Sequence, residues 1–286
     1  MLAIGWVVLT MGDRPLQLRA AIDSLRQSQS DLDHVLVVQN GAGGADPTNG
    51  STQESYCELP INIGVPGGRA RGVCLTDQPL VGFLDDDAEL QGDAAARVRR
   101  EFERDPGLAV VAMRIVDENG ETTRRHVPRI GTRRAAVSGP VGTFLGGACV
   151  FRRSAYEQAG GYYGDLFYGH EELELSWRLI DADWKIKYLA EAVVVHPRSA
   201  ISRHTDGWRN TGRNRVLIAR RTLPWIVAGP HTLFWLVVGS LRTPDRACRT
   251  HFLAGWREGW TTPVDRRPIK WRTVWRLSRT GRPPIV

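Results

Sequence analysis

Lysine is nearly missing from this chain. Of 286 residues, only Lys185, Lys187 and Lys270 are lysines, so almost all of the positive charge behind the net +7 is arginine. Arginine's planar fork pairs bidentately with phosphates and carboxylates. Charge alone therefore admits nucleic acid, anionic lipid or a phosphorylated substrate as partner. Cysteine is sparse as well. Cys57, Cys74, Cys149 and Cys248 lie far apart, with neither zinc-ligand spacing nor a disulfide framework, which fits a reducing, cytosolic compartment. No signal-peptide pattern precedes the first strand-like run. Long uninterrupted apolar runs are absent too. Residues 223–241 are apolar and tryptophan-rich but broken by Pro224, Gly229, Pro230 and His231, short of the about 20 clean residues a spanning helix needs. The glycine-rich stretch 62–72 is neither a Walker loop nor a dinucleotide fingerprint with a Gly-x-Gly start, and no RNA- or DNA-binding motif accompanies the tryptophan- and arginine-rich end. What remains is one large domain, or one domain with an appendage, of ordinary globular composition.

The most telling stretch is residues 81–90, where an apolar run ends in Asp85, Asp86 and Asp87. Short apolar runs bounded by polar residues read as buried strands. In open α/β sheets, ligands bind beyond the carboxyl ends of strands. Alternation sends Asp85 and Asp87 to one side and Asp86 to the other. Such carboxylates suit a hard divalent cation bridging to nucleotide phosphates, or equally a solvated acidic turn.

Upstream, residues 3–10 read as a first strand, residues 12–15 as a turn and the helical spacing up to Ser28 as a helix. Residues 35–38 form a second strand, so the sheet starts out parallel. A polar loop spans 42–52. Residues 62–72 are a glycine-rich loop with Arg69 and Arg71, either a structural turn or a close backbone approach to a phosphate. Downstream, Asp93 is expected to cap a helix to Arg104, followed by a strand over Leu108–Val116 and a hairpin-type turn at 117–120. Residues 122–134, with Arg124, Arg125, Arg129, Arg133 and Arg134, read as a mobile basic loop. A strand over 144–151 contains Gly146 and Gly147, which suggests a close neighbour.

The second acidic cluster is carried by an amphipathic helix. Leu173, Trp177 and Ile180 form its core stripe, Glu171 and Glu172 its first turn, and Glu174 and Arg178 an i, i+4 pair. Acidic residues at a helix start are also simply good helix chemistry. Two strands follow, around 185–189 and 193–195, the second ending at His196. Beyond residue 205 a basic helix (203–221) leads into the tryptophan- and arginine-rich remainder. That part is either an interfacial segment or a hairpin of helices packed on the core.

Taken in order, these pieces over residues 3–225 resemble the family 2 glycosyltransferases with the GT-A fold, in particular rhamnosyl- and galactofuranosyl-transferases. The resemblance rests on Thr10 and Arg14-Pro15, the segment ending at Asn40-Gly41, Asn62 to Gly72, the Asp85–Asp87 motif, Gly146-Gly147, the Glu171–Arg178 helix, Val195-His196 and Arg213-Asn214. It implies an α/β, Rossmann-like mixed sheet flanked by helices. The catalytic domain would span 1–204, with a nucleotide-sugar half (1–90) and an acceptor half (91–204). A helical aromatic and basic extension (205–286) would follow. The implied donor-binding residues are Thr10, Arg14, Gln39, Asn40, Asn62, Gly64, Arg69, Asp85 and Asp86. Asp85, Asp87 and His196 would hold Mn²⁺ or Mg²⁺. Gly146, Gly147, Trp177 and Arg178 would face the acceptor, though Arg178 also suits orienting its helix. Gln39 stands where relatives carry an aspartate that reads the base, so UDP-, dTDP- and GDP-sugars all remain open. Glu172 stands where relatives carry the catalytic aspartate, with Glu171 a competitor. The implied reaction is inverting, metal-dependent transfer to a saccharide or lipid-linked hydroxyl in cell-surface glycan synthesis, at the inner face of the plasma membrane, with peripheral contact through 220–275 and no nucleic-acid partner. Alternatives are transfer to a small secondary metabolite, a sugar-phosphate nucleotidyltransferase and a non-catalytic sugar-nucleotide-binding or membrane scaffold.

Overall fold

A computed structural model describes residues 1–28, 30–129, 135–197, 207–280 and 283–285. Arg133, Arg134 and the start of the basic helix expected from residue 203 lie outside them. The order is β1 (Ile4–Thr10), α1 (Pro15–Ser28), β2 (His34–Asn40), β3 (Glu54–Leu59), α2 (Gly64–Cys74), β4 (Leu80–Asp85), β5 (Glu89–Leu90), α3 (Ala94–Arg104) and β6 (Leu108–Val116). It continues with β7 (Gly139–Pro140), β8 (Ala148–Arg152), α4 (Arg153–Gln158), α5 (Glu171–Asp181), β9 (Lys185–Val195), α6 (Gly207–Thr222), α7 (Trp225–Arg242), α8 (Arg246–Thr261) and α9 (Trp271–Arg279).

One mixed sheet runs β3-β2-β1-β4-β8-β6-β9-β5, with β7 beside β9. The first four strands are parallel, as the βαβ reading expects. β8 then runs antiparallel to both β4 and β6. Strand alternation divides the core in two. Trp6, Val8, Val37 and Leu84 pack with α1 and α3 on one face. Val7, Val38, Val81 and Phe83 pack on the other with α5 and α6.

Several local expectations are corrected. β3, an edge strand of mixed polarity, was not anticipated. The stretch 62–72 is mostly helix, not loop. A Cβ at Gly68 would collide with Leu9 and one at Gly72 with Val7, so these glycines let α2 lie directly on β1. Asp93 precedes α3 without capping it by its side chain, which pairs instead with Arg97 at 2.6 Å. The turn at 117–120 closes with Gly120 N donating to Asp117 O, but β6 pairs with β8 and β9, so no hairpin returns from it. Within the expected mobile loop, Arg124–His126 form a 3₁₀ turn and Arg129 Nη1 donates to Val137 O at 2.6 Å. Gly146 and Gly147 precede β8 rather than lying within a strand. The two strands expected over 185–195 are one strand with a register shift opposite Met113 and Arg114.

The apolar stretch 223–241 is not broken in its middle. Pro230 sits inside α7, where it and Ile226, whose carbonyl the proline leaves unbonded, both face outward, so water can satisfy that group. Among the described residues no helix is long and apolar enough to cross a membrane.

Candidate active site at the carboxyl end of the sheet

β1 and β4 are adjacent, and their carboxyl ends meet where the sheet's neighbours diverge toward β2 and β8. Such a junction is the usual ligand crevice of an open α/β sheet. Asp86 turns toward β1: Thr10 Oγ1 donates to its Oδ2 at 2.7 Å and Arg14 Nη1 lies 3.3 Å from its Oδ1. Burial pushes the Asp86 carboxyl up to about 6, against the pull of Thr10 and Arg14. Arg14 also pairs with Asp87.

Asp85 and Asp87 turn the other way, toward His196 at the end of β9. His196 Nε2 lies 3.2 Å from Asp87 Oδ1 and 3.7 Å from Asp85 Oδ2. One ligand atom from each of the three lies within 4.8 Å of the others. The Nδ1–H of His196 donates to Pro197 O at 3.0 Å, which aims Nε2 at the carboxylates. Burial lowers the imidazole's proton affinity, but Asp85 and Asp87 outweigh it and raise it to about 9. Burial likewise raises Asp85, while His196 and Arg69 hold it at about 2. A proton thus sits where two carboxylates and an imidazole converge. This donor set fits a divalent cation, which would displace that proton.

Across from this cluster stand Glu171 and Glu172, in the first turn of α5. Arg69, 6% exposed, joins the two sides. Its Nη2 donates to Asp85 Oδ1 at 3.0 Å and its Nη1 to Glu172 Oε1 at 3.3 Å, with Glu171 Oε1 at 3.8 Å. Gly146 N donates to Glu172 Oε1 at 3.1 Å. A Cβ at Gly146 would strike Arg69 and Glu172, and one at Gly147 would strike Asp85. Gly146 and Gly147 therefore make room for the two acidic groups at the centre. Glu171 is 3% exposed, and burial together with Glu172 pushes its carboxyl well above the usual range despite Arg69.

Asn40, Asn62 and Gly64 brace one another. Asn40 Nδ2 donates to Asn62 Oδ1 at 3.0 Å and to Gly64 O at 3.1 Å, and Gly64 N donates to Asn62 Oδ1 at 2.8 Å. Gly64 has φ +77, and Val65 N donates to Phe167 O at 2.7 Å. Gln39 is buried against Gly12 and Gly44. Asn40 and Asn62 thus shape the loop that leads into α2 at the crevice.

Two residues expected to face an acceptor do not. Trp177 is 1% exposed and packs in the core against His231, because it lies on the apolar stripe of α5. Arg178 pairs with Glu174 and donates to the carbonyls of Ala159 and Gly161, so it orients α5. His126 was not anticipated. Its ring lies 6.2 Å from that of His196, and burial lowers its proton affinity to about 4. Nothing in the basic stretch around it singles it out. The centrality of Arg69 was legible only as one charge in a glycine-rich segment.

Residues 6–160 match the profile described as glycosyl transferase family 2. The chain is similar to the pre-mycofactocin glycosyltransferase of Mycobacterium tuberculosis, 26% identical over 252 residues, covering 81% of this chain and 52% of that protein. The chain thus spans about half the length of the curated relatives it matches. Among solved structures it is similar to GalNAc-T7 with UDP, GalNAc and Mn²⁺, with TM-score 0.65 and 12% identity over 89% of this chain and 54% of that one. It is also similar to the mannosyltransferase PcManGT of Pyrobaculum calidifontis with GDP-Man and Mn²⁺, with TM-score 0.56 and 15% identity over 97% and 72% of the two chains.

Proposed function

The chain belongs to glycosyl transferase family 2 and has the GT-A fold, and from that premise we propose that it is an inverting, metal-dependent sugar transferase using a nucleoside-diphosphate sugar. The observation that carries this reading is the pairing of two carboxylate clusters across one buried arginine. Asp85 and Glu172 both bind Arg69, so a phosphate-side metal cluster and a base-side carboxylate share one crevice. The complexes of two similar folds with UDP or GDP-Man and Mn²⁺ support the same donor class.

Asp85, Asp87 and His196 would hold Mn²⁺ or Mg²⁺. Bound there, the cation supplies positive charge opposite the departing diphosphate. Thr10 and Arg14 fix Asp86 and so hold the turn that carries both aspartates. Glu172 takes the proton of the acceptor hydroxyl as that oxygen bonds to the anomeric carbon. The bond from that carbon to the diphosphate breaks on the opposite face, and the configuration inverts. Burial and the adjacent carboxylate push the Glu171 carboxyl up, and Glu172 is the more exposed of the two, which favours Glu172 as the base. Gly146 N and Arg69 hold Glu172 in place.

The acceptor in this reading is a saccharide or lipid-linked hydroxyl in surface-glycan synthesis, at the cytoplasmic membrane face. The name of the curated relative supports a second acceptor class, a small metabolite of the kind that name specifies.

The test is release of nucleoside diphosphate from a panel of UDP-, dTDP- and GDP-sugars, with and without chelator. Slow hydrolysis of one donor should vanish on chelation and in Asp87→Ala. With an acceptor present, Glu172→Gln should lower transfer by about 10²–10⁴-fold while keeping donor binding. Absence of both turnover and binding across the whole panel would overturn the reading and favour a scaffold.

A further inference from the structure

The outward face of α7 is apolar from end to end. Ile226, Leu233, Val237 and Leu241 are 76%, 64%, 51% and 76% exposed. With the exposed Pro230 they recur at helical spacing and so share one side of the helix. No charged residue lies between Arg221 and Arg242. A helix on an ordinary protein surface turns its polar residues outward. Here the arrangement is reversed: His231 and Thr232 are buried and the aliphatic residues face out.

Arginines rim this ridge. At its start Arg266 lies 3.8 Å from the ring of Trp225, which is 60% exposed. Toward its other end Arg242 lies 5.7 Å from the ring of Trp235. The charge of the chain is divided to match. Residues 205–286 hold 16 of the 38 Lys and Arg but only 4 of the 31 Asp and Glu, a net of +12, so the first 204 residues carry −5.

We propose that α7 docks on an anionic lipid surface, with its aliphatic ridge at the boundary of headgroups and acyl chains and its arginines on the headgroups. Apolar ridges with tryptophan and arginine at their edges suit that boundary, and basic residues beside it are drawn to anionic lipid. A second copy of this chain fits less well, because it would bring two positive rims together. Docking would also orient the active site. His231 of α7 meets Trp177 of α5 edge-on at 5.9 Å between ring centroids, and α5 begins with Glu171 and Glu172. The inference deepens the lipid-linked acceptor reading and rests on it only for what docking is for. The docking itself is measured without turnover.

The experiment is co-sedimentation of the full chain with phosphatidylcholine vesicles, with and without phosphatidylserine. Wild type should sediment with the anionic vesicles. The double variant Leu233→Glu with Val237→Glu should bind about tenfold or more weakly, with far-UV circular dichroism and donor hydrolysis unchanged. If it does not fold, Val237→Ser with Leu241→Ser takes its place, with the same expectation. Failure of wild type to bind anionic vesicles, or equal binding by a folded variant, overturns the proposal. So does a dimer in sedimentation velocity that the variant dissociates, which would make the occupant a second copy. Vesicle binding without any donor turnover would leave the docking intact and overturn the transferase reading instead.

Discussion

Glu171 and Glu172 are neighbours in sequence with different surroundings. Glu171 is almost wholly buried, whereas the side chain of Glu172 is 21% exposed and held by Arg69 and Gly146 N. Burial and the adjacent carboxylate raise the proton affinity of Glu171 in the folded state. Its protonated form therefore contributes stability that is fully present below an ordinary glutamate pKa of about 4.3, and that is lost as pH rises toward the raised value. Glu171→Gln keeps the shape without the charge. Its melting temperature should exceed that of wild type by a margin that grows from pH 5 to pH 8, reaching about 1–2 kcal/mol of stability. Metal-free thermal melts across that range check it, and a pH-independent gap would show that Glu171 is not held neutral.

The elements that present these side chains are held from behind by α6. Asn214 is fully buried, and its Nδ2 donates to the carbonyls of Leu166, Tyr168 and Gly169 at 2.8, 2.9 and 2.8 Å. An amide has two such hydrogens, so one is shared. These carbonyls shape the turn leading into α5. Arg221 of α6 reaches Glu174 of α5, itself paired with Arg178, so a buried carboxylate between two arginines locks the helices together. Asn214→Ala should cost about 1–3 kcal/mol through carbonyls left short of a donor. It should also lower kcat about ten- to a hundredfold by shifting the first turn of α5, with donor KM unchanged. Steady-state kinetics beside a denaturant titration measures both, and an unchanged kcat would mean that the turn holds α5 without help from α6.

At the scale of the whole molecule, the composition shift near residue 205 does not coincide with a break in the core. Leu217, Ile218, Leu223, Val227, Ile269 and Leu277 belong to the same apolar cluster as Val81, Phe83 and Phe151 of the sheet. Lys270 N and Thr273 Oγ1 donate to Asp181 at the end of α5. We propose that the division at 204/205 is one of composition and charge, with both parts sharing one core. A chain ending at residue 206 would lose His231, which packs on Trp177, and Arg221, which pairs with the buried Glu174. It should give no cooperative thermal transition, whereas the full chain gives one. A sharp transition in the truncated chain would establish an independently folding catalytic unit.

The sequence by itself determined three of the four parallel strands, because β1, β2 and β4 are runs so apolar that only full burial suits them. It also marked the two acidic clusters that the fold brings to one crevice. Three aspartates at a strand tip and two glutamates at a helix start are local patterns, and α5 showed its buried stripe by spacing alone. Tertiary structure decided whatever depends on a distant partner. Gly68 and Gly72 read as loop residues until β1 supplies the surface that needs them small. The family resemblance sets Trp177 toward an acceptor, but its place on the buried stripe puts it in the core, where His231 covers it. β3 has no burial signal of its own and exists as the edge partner of β2. The apolar stretch at 223–241 reads as broken at Pro230, yet it stays helical because that proline and Ile226 face outward. Arg69 reads as one arginine among 35, and it becomes the cation between the two carboxylate clusters only when α2 lies down on β1 and α5 closes over it. Periodicity reports which face of an element is apolar, and the fold decides what that face meets.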